Sequence, residues 1–139
     1  MARILIADDR ESMRTALRSA FVLRPNWEIC GEATDGTEAV AKATQLKPDL
    51  VLLDFRMHQS DGLKAATQIN RIMPSLPIVM YTLYKTDELE AAAKSVGVRC
   101  VVAKEDGVQP LLTAIDGELA RSQVRSDSHV RSDPNLGLR

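Results

Sequence analysis

Three aspartates in this chain stand directly after short apolar runs, where carboxylates can hold a metal ion or act as a nucleophile. Asp8 and Asp9 follow the run at residues 3–7, and Asp54 follows the run at residues 50–53. Carboxylates that crowd together repel one another unless a cation or protons intervene. All-oxygen ligation with room for water suits Mg²⁺, which often shares its coordination shell with phosphate oxygens. If these residues converge, they predict a Mg²⁺ site in which Asp54 is the nucleophile and becomes an acyl phosphate.

Two further apolar runs end on a hydroxyl and on an amine. Thr82 follows residues 78–81, and Lys104 follows residues 98–103. Thr82 can donate a hydrogen bond to an oxygen of a transferred phosphoryl group, and Lys104 can neutralise the charge of that group. Each signal is weak alone, because an acidic pair after a strand is more often a helix cap and a single threonine or lysine is an ordinary loop residue. Together they predict a phosphoryl-accepting site.

The elements that must position these residues alternate along the chain. Continuous apolar runs predict buried parallel strands, and partial alternation predicts an edge strand at residues 27–33. Apolar residues at helical spacing predict a helix after each strand, the last at residues 108–120. This pattern predicts an α/β fold, a single flavodoxin-like (βα)5 domain with helices on both faces of a parallel sheet in the order 2-1-3-4-5. In that order the first and third strands are neighbours, so the aspartates converge.

Composition and charge argue against several classes of function. The chain of 139 residues has a net charge of −1, which gives no reason to expect nucleic acid or a membrane as a direct partner. No apolar stretch approaches the ~20 residues of a membrane span, and no signal peptide precedes the first strand, so we expect a cytoplasmic protein. Cys30 and Cys100 are too few and too far apart for a disulfide framework or a metal knuckle. We expect both to be small, buried apolar residues. We also expect no disulfide between them, because the strand order puts them on opposite edges of the sheet.

The last part of the chain differs in composition from the rest. Residues 122–139 contain few apolar side chains and a near-repeat, in which the sequence at 124–127 returns at 130–133. Such a segment cannot bury enough apolar surface to offset the chain entropy lost on ordering. We therefore expect one domain at residues 1–120 and a polar, mobile tail at residues 121–139.

The sequence resembles the receiver domain of bacterial two-component response regulators over about residues 1–120, and most closely the LuxR/NarL type. The stretches that carry the resemblance are Ile6-Ala7-Asp8-Asp9, Glu32-Ala33-Thr34-Asp35-Gly36, Leu50-Val51-Leu52-Leu53-Asp54, Asp61-Gly62, Tyr81-Thr82 and Lys104. The resemblance implies that Asp54 accepts phosphate from a sensor histidine kinase or a phosphotransfer protein. It also implies a signalling protein that catalyses only its own phosphorylation and dephosphorylation. A homodimer is a further partnership that the resemblance leaves open.

The resemblance assigns a role to each residue of the predicted site. Asp8, Asp9 and Asp54 hold Mg²⁺ in this family, helped by the backbone carbonyl at the position of Arg56. The residues that match Thr82 and Lys104 read the phosphoryl group and transmit the change. The family often continues into a DNA-binding domain, which is not part of this chain, so a stand-alone receiver and a fragment of a longer regulator are both open.

Two positions depart from the family pattern. His58 stands where proline is usual, and Val101 stands where many members have an aromatic residue. Valine is short and largely confined to one rotamer, so it cannot swing inward behind a moving threonine. We therefore expect the switch to involve residues 83–86, where Tyr84 is the nearest aromatic residue.

Other functions are compatible with parts of the pattern. A receiver-like interaction module that no longer depends on phosphate is suggested by His58 and Val101, although the complete acidic set argues against it. An aspartyl phosphohydrolase of the haloacid dehalogenase type requires a second aspartate two residues after the first, and Arg56 occupies that position. A dinucleotide carrier is weaker still, because no glycine-rich loop follows the first strand.

Overall fold

The computed structural model describes residues 1–58 and 60–131, and the side chains up to residue 122. Within these residues one sheet contains five strands: β1 (Ala2–Ala7), β2 (Trp27–Ala33), β3 (Leu50–Leu53), β4 (Ile78–Thr82) and β5 (Cys100–Ala103). The strand order is β2-β1-β3-β4-β5, and every neighbouring pair is parallel. The predicted fold class and strand order are therefore confirmed.

Helices connect the strands and cover both faces of the sheet. They are α1 (Glu11–Ala20), α2 (Gly36–Leu46), α3 (Gly62–Ile72), α4 (Asp87–Ser95) and α5 (Val108–Arg131). Short 3-10 turns lie at Phe21–Leu23 and Lys104–Asp106, and a small antiparallel pair joins Arg56–Met57 to Ser60–Asp61. No helix among the described residues is both long enough and apolar enough to cross a bilayer.

Side-chain caps determine where three of the helices begin. Asp35 accepts a hydrogen bond from the backbone of α2, Asp61 from that of α3, and Thr86 from that of α4. These caps satisfy amide groups that have no partner within the helix. Because α3 begins immediately after the loop that follows β3, its cap also fixes the far end of that loop.

The apolar side chains form one cluster on each face of the sheet. One cluster packs against α2, α3 and α4, and the other packs against α1 and α5. Successive side chains of a strand point to opposite faces, so a strand covered on both sides must be apolar throughout. β3 has this pattern, and all four of its residues are buried. The site residues that follow the strands are thereby fixed on a rigid base.

The predicted end of the last helix is wrong, because α5 continues past Ala120 to Arg131. No glycine or proline occurs between residues 121 and 133, and Pro134 is the first helix breaker. An existing helix gains one hydrogen bond for each residue added, so it continues where nothing interrupts it. Residues 132–139 lie outside the described residues, and the mobile tail and the domain boundary at residue 120 stay predictions.

Both cysteines are free, as expected, but they are only partly buried. Cys30 lies on β2 and Cys100 on β5, and these are the two edge strands of the sheet. An edge strand has a neighbour on one side only, which leaves part of its side chains accessible. The expectation that both cysteines are buried is wrong for this reason.

Candidate functional site

The carboxyl ends of β1 and β3 bring the three aspartates together. Ala7 is paired with Leu53, and the amide of Asp54 donates to the carbonyl of Ala7 over 3.0 Å. Asp8 and Asp54 are therefore the first residues beyond two adjacent strands, at the point where the strand order reverses. One carboxylate oxygen each of Asp8, Asp9 and Asp54 lies within 4.8 Å of the others. Asp8 and Asp54 are buried, whereas Asp9 is exposed.

Lys104, which directly follows the last strand β5, contacts two of these carboxylates. Its Nζ atom lies 2.6 Å from Asp8 Oδ2 and 2.9 Å from Asp54 Oδ2, and only 3% of its side chain is exposed. Burial is the largest single influence on the pKa of Lys104 and lowers it, but the hydrogen bonds to Asp8 and Asp54 and the charges of these two carboxylates together outweigh burial and raise the pKa. The ammonium group is therefore held in the charged form between two acids.

The carboxyl group of Asp54 has one bonded oxygen and one free oxygen. Oδ2 accepts from Lys104, whereas Oδ1 is buried and has no hydrogen-bond partner among the described residues. Burial is the main cause that raises the pKa of Asp54; Lys104 lowers it, the nearby carboxylate of Asp8 raises it, and the Thr82 hydroxyl lowers it. A buried oxygen without a partner lowers the stability of the fold, and such atoms in native proteins often mark a catalytic or ion-binding role. Oδ1 is available to a cation or to an incoming phosphorus atom.

Thr82 ends β4 and is fully buried. Its register partner is Ala103, the residue before Lys104, so the two predicted site residues lie on adjacent strands at the same edge of the sheet. Thr82 Oγ1 accepts a hydrogen bond of 3.2 Å from the amide of Tyr84. The hydroxyl group is thus used as an acceptor within its own loop, and its proton can still be donated to another oxygen.

A cavity of about 150 Å³ opens above these side chains. Its lining residues are Asp9, Arg10, Asp54, Arg56, Met57, His58, Leu83, Tyr84 and Lys104. The guanidinium group of Arg56 lies 4.8 Å from the ring centroid of Tyr84, a cation–π distance. Sequence reasoning assigned only the backbone carbonyl of Arg56 to the site and missed this pair. The sequence does contain a signal for this pair: Arg56 stands two residues after Asp54, and Tyr84 stands two residues after Thr82.

Residues outside the predicted set hold the acidic loop in place. The amide of Arg10 donates to Asp8 Oδ1 over 2.9 Å, and Arg14 Nη1 donates to the carbonyl of Asp8 over 2.8 Å. Arg14 also forms an ion pair of 3.0 Å with Glu32. Glu32 lies within one of the motif stretches, but its pairing with Arg14 has no signature in the sequence. The amide of Arg10 thus orients the Asp8 carboxylate, and Arg14 holds the backbone of Asp8.

Gly62 allows the loop after Asp54 to fold back closely. Its amide donates to the carbonyl of Phe55 over 2.6 Å. A Cβ atom at this position would overlap the backbone carbonyl oxygen of Asp54. Gly62 is required here because two stretches of backbone meet, which gives a physical reason for the Asp61-Gly62 motif.

The donor set of this site fits a hard divalent cation. Three carboxylates supply oxygen ligands within reach of one another, and the free Oδ1 of Asp54 is a ligand atom without a competing partner. Mg²⁺ prefers oxygen ligands and keeps several waters, for which the adjoining cavity has room. His58 lines the cavity but does not belong to the carboxylate cluster.

Comparison with known proteins agrees with this geometry. The family model described as the response regulator receiver domain matches residues 4–116. The transcriptional regulatory protein LiaR of Bacillus subtilis (strain 168) is 42% identical over 57 residues, which are 41% of this chain and 27% of LiaR. The chemotaxis protein CheY of Thermotoga maritima is 46% identical over 55 residues, which are 40% of this chain and 45% of CheY. The matches thus span less than half of either relative.

A solved structure shows the same architecture over nearly all of the domain. The crystal structure of a two-component response regulator of the LuxR family from Aurantimonas sp. SI85-9A1 superposes with a TM-score of 0.83. The two chains are 27% identical, and the match covers 86% of each.

Proposed function

The chain belongs to the response regulator receiver domain family, and we propose that Asp54 is its phosphoacceptor. The observation that supports this assignment is the free, buried Oδ1 atom of Asp54 beside a lysine ammonium group and two further carboxylates. Both carboxylate oxygens of Asp8 have hydrogen-bond partners, the amide of Arg10 and the amine of Lys104, whereas Asp54 has a partner on Oδ2 only.

The donor we propose is a phosphohistidine of a sensor histidine kinase or of a phosphotransfer protein. One oxygen of Asp54 forms the new P–O bond while the P–N bond of the phosphohistidine breaks. The electron pair of that bond stays on the ring nitrogen, which leaves as neutral imidazole because the other ring nitrogen carries a proton. The product is an acyl phosphate on Asp54.

The other site residues stabilise the charge of the transferred group. We assign Asp8, Asp9, Asp54 and the backbone carbonyl of Arg56 as ligands of Mg²⁺, which would neutralise charge on the phosphoryl oxygens. Lys104 leaves Asp54 Oδ2 and pairs with a phosphoryl oxygen, and Thr82 donates its hydroxyl proton to another. These motions change the contacts of Thr82 at the end of β4 and of Lys104 after β5. Phosphorylation would therefore alter the structure at the ends of these two adjacent strands.

The output and partners of the chain follow from this role. We propose that it catalyses only its own phosphorylation and dephosphorylation, in the cytoplasm, and passes the change to a partner surface or to a second copy of the chain. LiaR, whose name describes a transcriptional regulator, is covered over only 27% of its length. DNA binding therefore belongs, in this proposal, to a part of a longer regulator and not to these residues.

Intact mass spectrometry after incubation with acetyl phosphate and Mg²⁺ tests the proposal. We expect one added phosphoryl group on the unaltered chain and none on Asp54→Asn. Asp87→Asn is the matched control, because Asp87 is an exposed carboxylate at the start of α4 and should leave labelling unchanged. Labelling of Asp54→Asn at the unaltered level would contradict the assignment, and absence of labelling in every variant would favour the phosphate-independent module.

A further inference from the structure

Tyr81 connects the site to the start of α5 through the sheet face opposite α4. It is the residue before Thr82, it is 5% exposed, and its side chain belongs to the cluster that packs against α1 and α5. Its hydroxyl group donates to the backbone carbonyl of Gly107 over 3.2 Å. A tyrosine buried in an apolar cluster needs a partner for its hydroxyl group, and Gly107 is that partner.

Gly107 closes the turn that presents Lys104. The 3-10 turn Lys104–Asp106 begins at Lys104, and the amide of Gly107 donates back to the carbonyl of Lys104 over 3.1 Å. Gly107 has a φ of 82°, a left-handed conformation that glycine adopts without strain. Gly107 is therefore held at both of its backbone polar groups. Its carbonyl accepts from the hydroxyl group of Tyr81, and its amide donates to the carbonyl of Lys104.

The ring of Tyr81 also lies beside the amine of Lys104. The distance from Lys104 Nζ to the ring centroid is 6.0 Å, the outer limit of a cation–π contact. Burial raises the pKa of the Tyr81 phenol, and the neighbouring Lys104 lowers it to a smaller extent. The phenol thus stays protonated near neutral pH and remains a hydrogen-bond donor to Gly107.

We propose that Tyr81 is a positioning residue of the phosphoacceptor site, whose hydroxyl group fixes the turn that aims Lys104 at Asp54. This inference rests on the proposed function. Lys104 contacts two carboxylates and must exchange one of them for a phosphoryl oxygen, so the position of its backbone decides how well its Nζ atom reaches the new partner. The bond from Tyr81 to Gly107 restricts that backbone without touching Asp54, the metal ligands or the donor.

Tyr81→Phe tests the inference, because it removes the hydroxyl group and keeps the ring. We expect the rate constant for phosphorylation by phosphoramidate at saturating Mg²⁺ to fall roughly three- to ten-fold, the effect of losing one hydrogen bond. Mg²⁺ affinity measured by calorimetry should not change. The control is Thr67→Val, which removes a hydroxyl group that donates to a backbone carbonyl over 2.7 Å on α3, away from the site, and should not alter the rate.

A double-mutant cycle with Lys104→Met separates positioning from a general loss of structure. Lys104→Met keeps a side chain of similar length, and its residual phosphorylation can be followed by intact mass over long incubation. If Tyr81 acts through Lys104, adding Tyr81→Phe to Lys104→Met should change the residual rate less than two-fold. An equal slowing in both backgrounds would overturn the inference, as would a Tyr81→Phe rate equal to that of the unaltered chain. Failure of the unaltered chain to accept phosphate would instead overturn the proposed function.

Discussion

Arg56 lies over the ring of Tyr84, with 4.8 Å from its guanidinium carbon to the ring centroid, at the rim of the cavity that contains Asp54. The two residues come from different loops, one after β3 and one after β4. Their contact therefore joins the two loops that border Asp54. We expect the pair to limit the path by which water reaches a phosphoryl group on Asp54.

Opening this contact should shorten the lifetime of the phosphorylated form. We expect Arg56→Ala and Tyr84→Ala each to speed loss of phosphate roughly two- to ten-fold, the range that corresponds to a cation–π contact. Arg56→Ala keeps the backbone carbonyl assigned to the metal. The decay of phosphorylated protein, followed by intact mass after removal of the donor, measures the effect. Tyr84→Phe keeps the ring and should decay like the unaltered chain; unchanged decay in both alanine variants would show that the pair does not limit access of water.

Removal of Lys104 should destabilise the protein more than the size of the side chain suggests. Lys104→Ala leaves Asp8 and Asp54 buried without their shared cation, and such a loss costs about 3–5 kcal/mol. Mg²⁺ should restore part of this stability, because a divalent cation compensates the same carboxylates. Urea unfolding with Mg²⁺ and with EDTA provides the measurement. A variant that gains no more from Mg²⁺ than the unaltered chain does would contradict a shared cation site.

Asp9 should contribute to metal affinity and little to stability. It is exposed, whereas Asp8 and Asp54 are buried and paired with Lys104. We expect Asp9→Asn to weaken Mg²⁺ binding by about ten-fold, a change of roughly 1.4 kcal/mol, and to slow phosphorylation at low Mg²⁺ concentrations. Calorimetric titration measures the affinity and thermal unfolding the stability. Unchanged Mg²⁺ affinity would remove Asp9 from the ligand set.

Two glycines offer a matched pair of alanine substitutions. A Cβ atom at Gly62 would overlap the carbonyl oxygen of Asp54, whereas a Cβ atom at Gly117 would meet nothing within 4 Å. Gly62→Ala should therefore destabilise the protein by about 1–3 kcal/mol and slow phosphorylation, because the Asp54 backbone must shift. Gly117→Ala lies within α5 and should stabilise by about 0.5–1 kcal/mol. Chemical unfolding of both variants checks the pair, and equal effects would contradict the close backbone approach at position 62.

Phosphorylation should change the loop at residues 83–86 more than β5. The amide of Tyr84 donates to Thr82 Oγ1, so a rotation of the threonine toward a phosphoryl oxygen breaks a bond of that loop. Val101 is buried among apolar side chains, and its short β-branched side chain is restricted at χ1. Backbone amide shifts with and without beryllofluoride report the change. Large shifts at Val101 with residues 83–86 silent would show that the signal leaves by another path.

The fold could be predicted from the sequence because its signals are local. Residues 50–53 are uniformly apolar since the strand is buried on both faces, and this alone indicates a central parallel strand. The strand order then brings Asp8 near Asp54 without knowledge of any contact. The position of Thr82 beside Lys104 follows in the same way from the pairing of β4 with β5.

The side-chain pairs of the site could not be predicted in this way. The contact of Arg56 with Tyr84 and that of Arg14 with Glu32 depend on the direction of long side chains that leave loops or helix faces, which no periodicity records. The extent of α5 was missed for a different reason. Polar composition argued against an ordered segment, but the absence of glycine and proline allowed the helix to continue to Arg131.

The pairing of Lys104 with Asp8 spans 96 positions of the chain, which has a consequence for synthesis on the ribosome. A nascent chain emerges N-terminus first and a domain generally folds as a unit, so the strand that precedes Lys104 is the last to be made and completes both the sheet and the site. Until it is in place, Asp8 and Asp54 lack the amine that joins them, and the repulsion between their charges opposes formation of that edge of the sheet. Addition of the last strand therefore removes this repulsion in the same step that covers the open edge of β4.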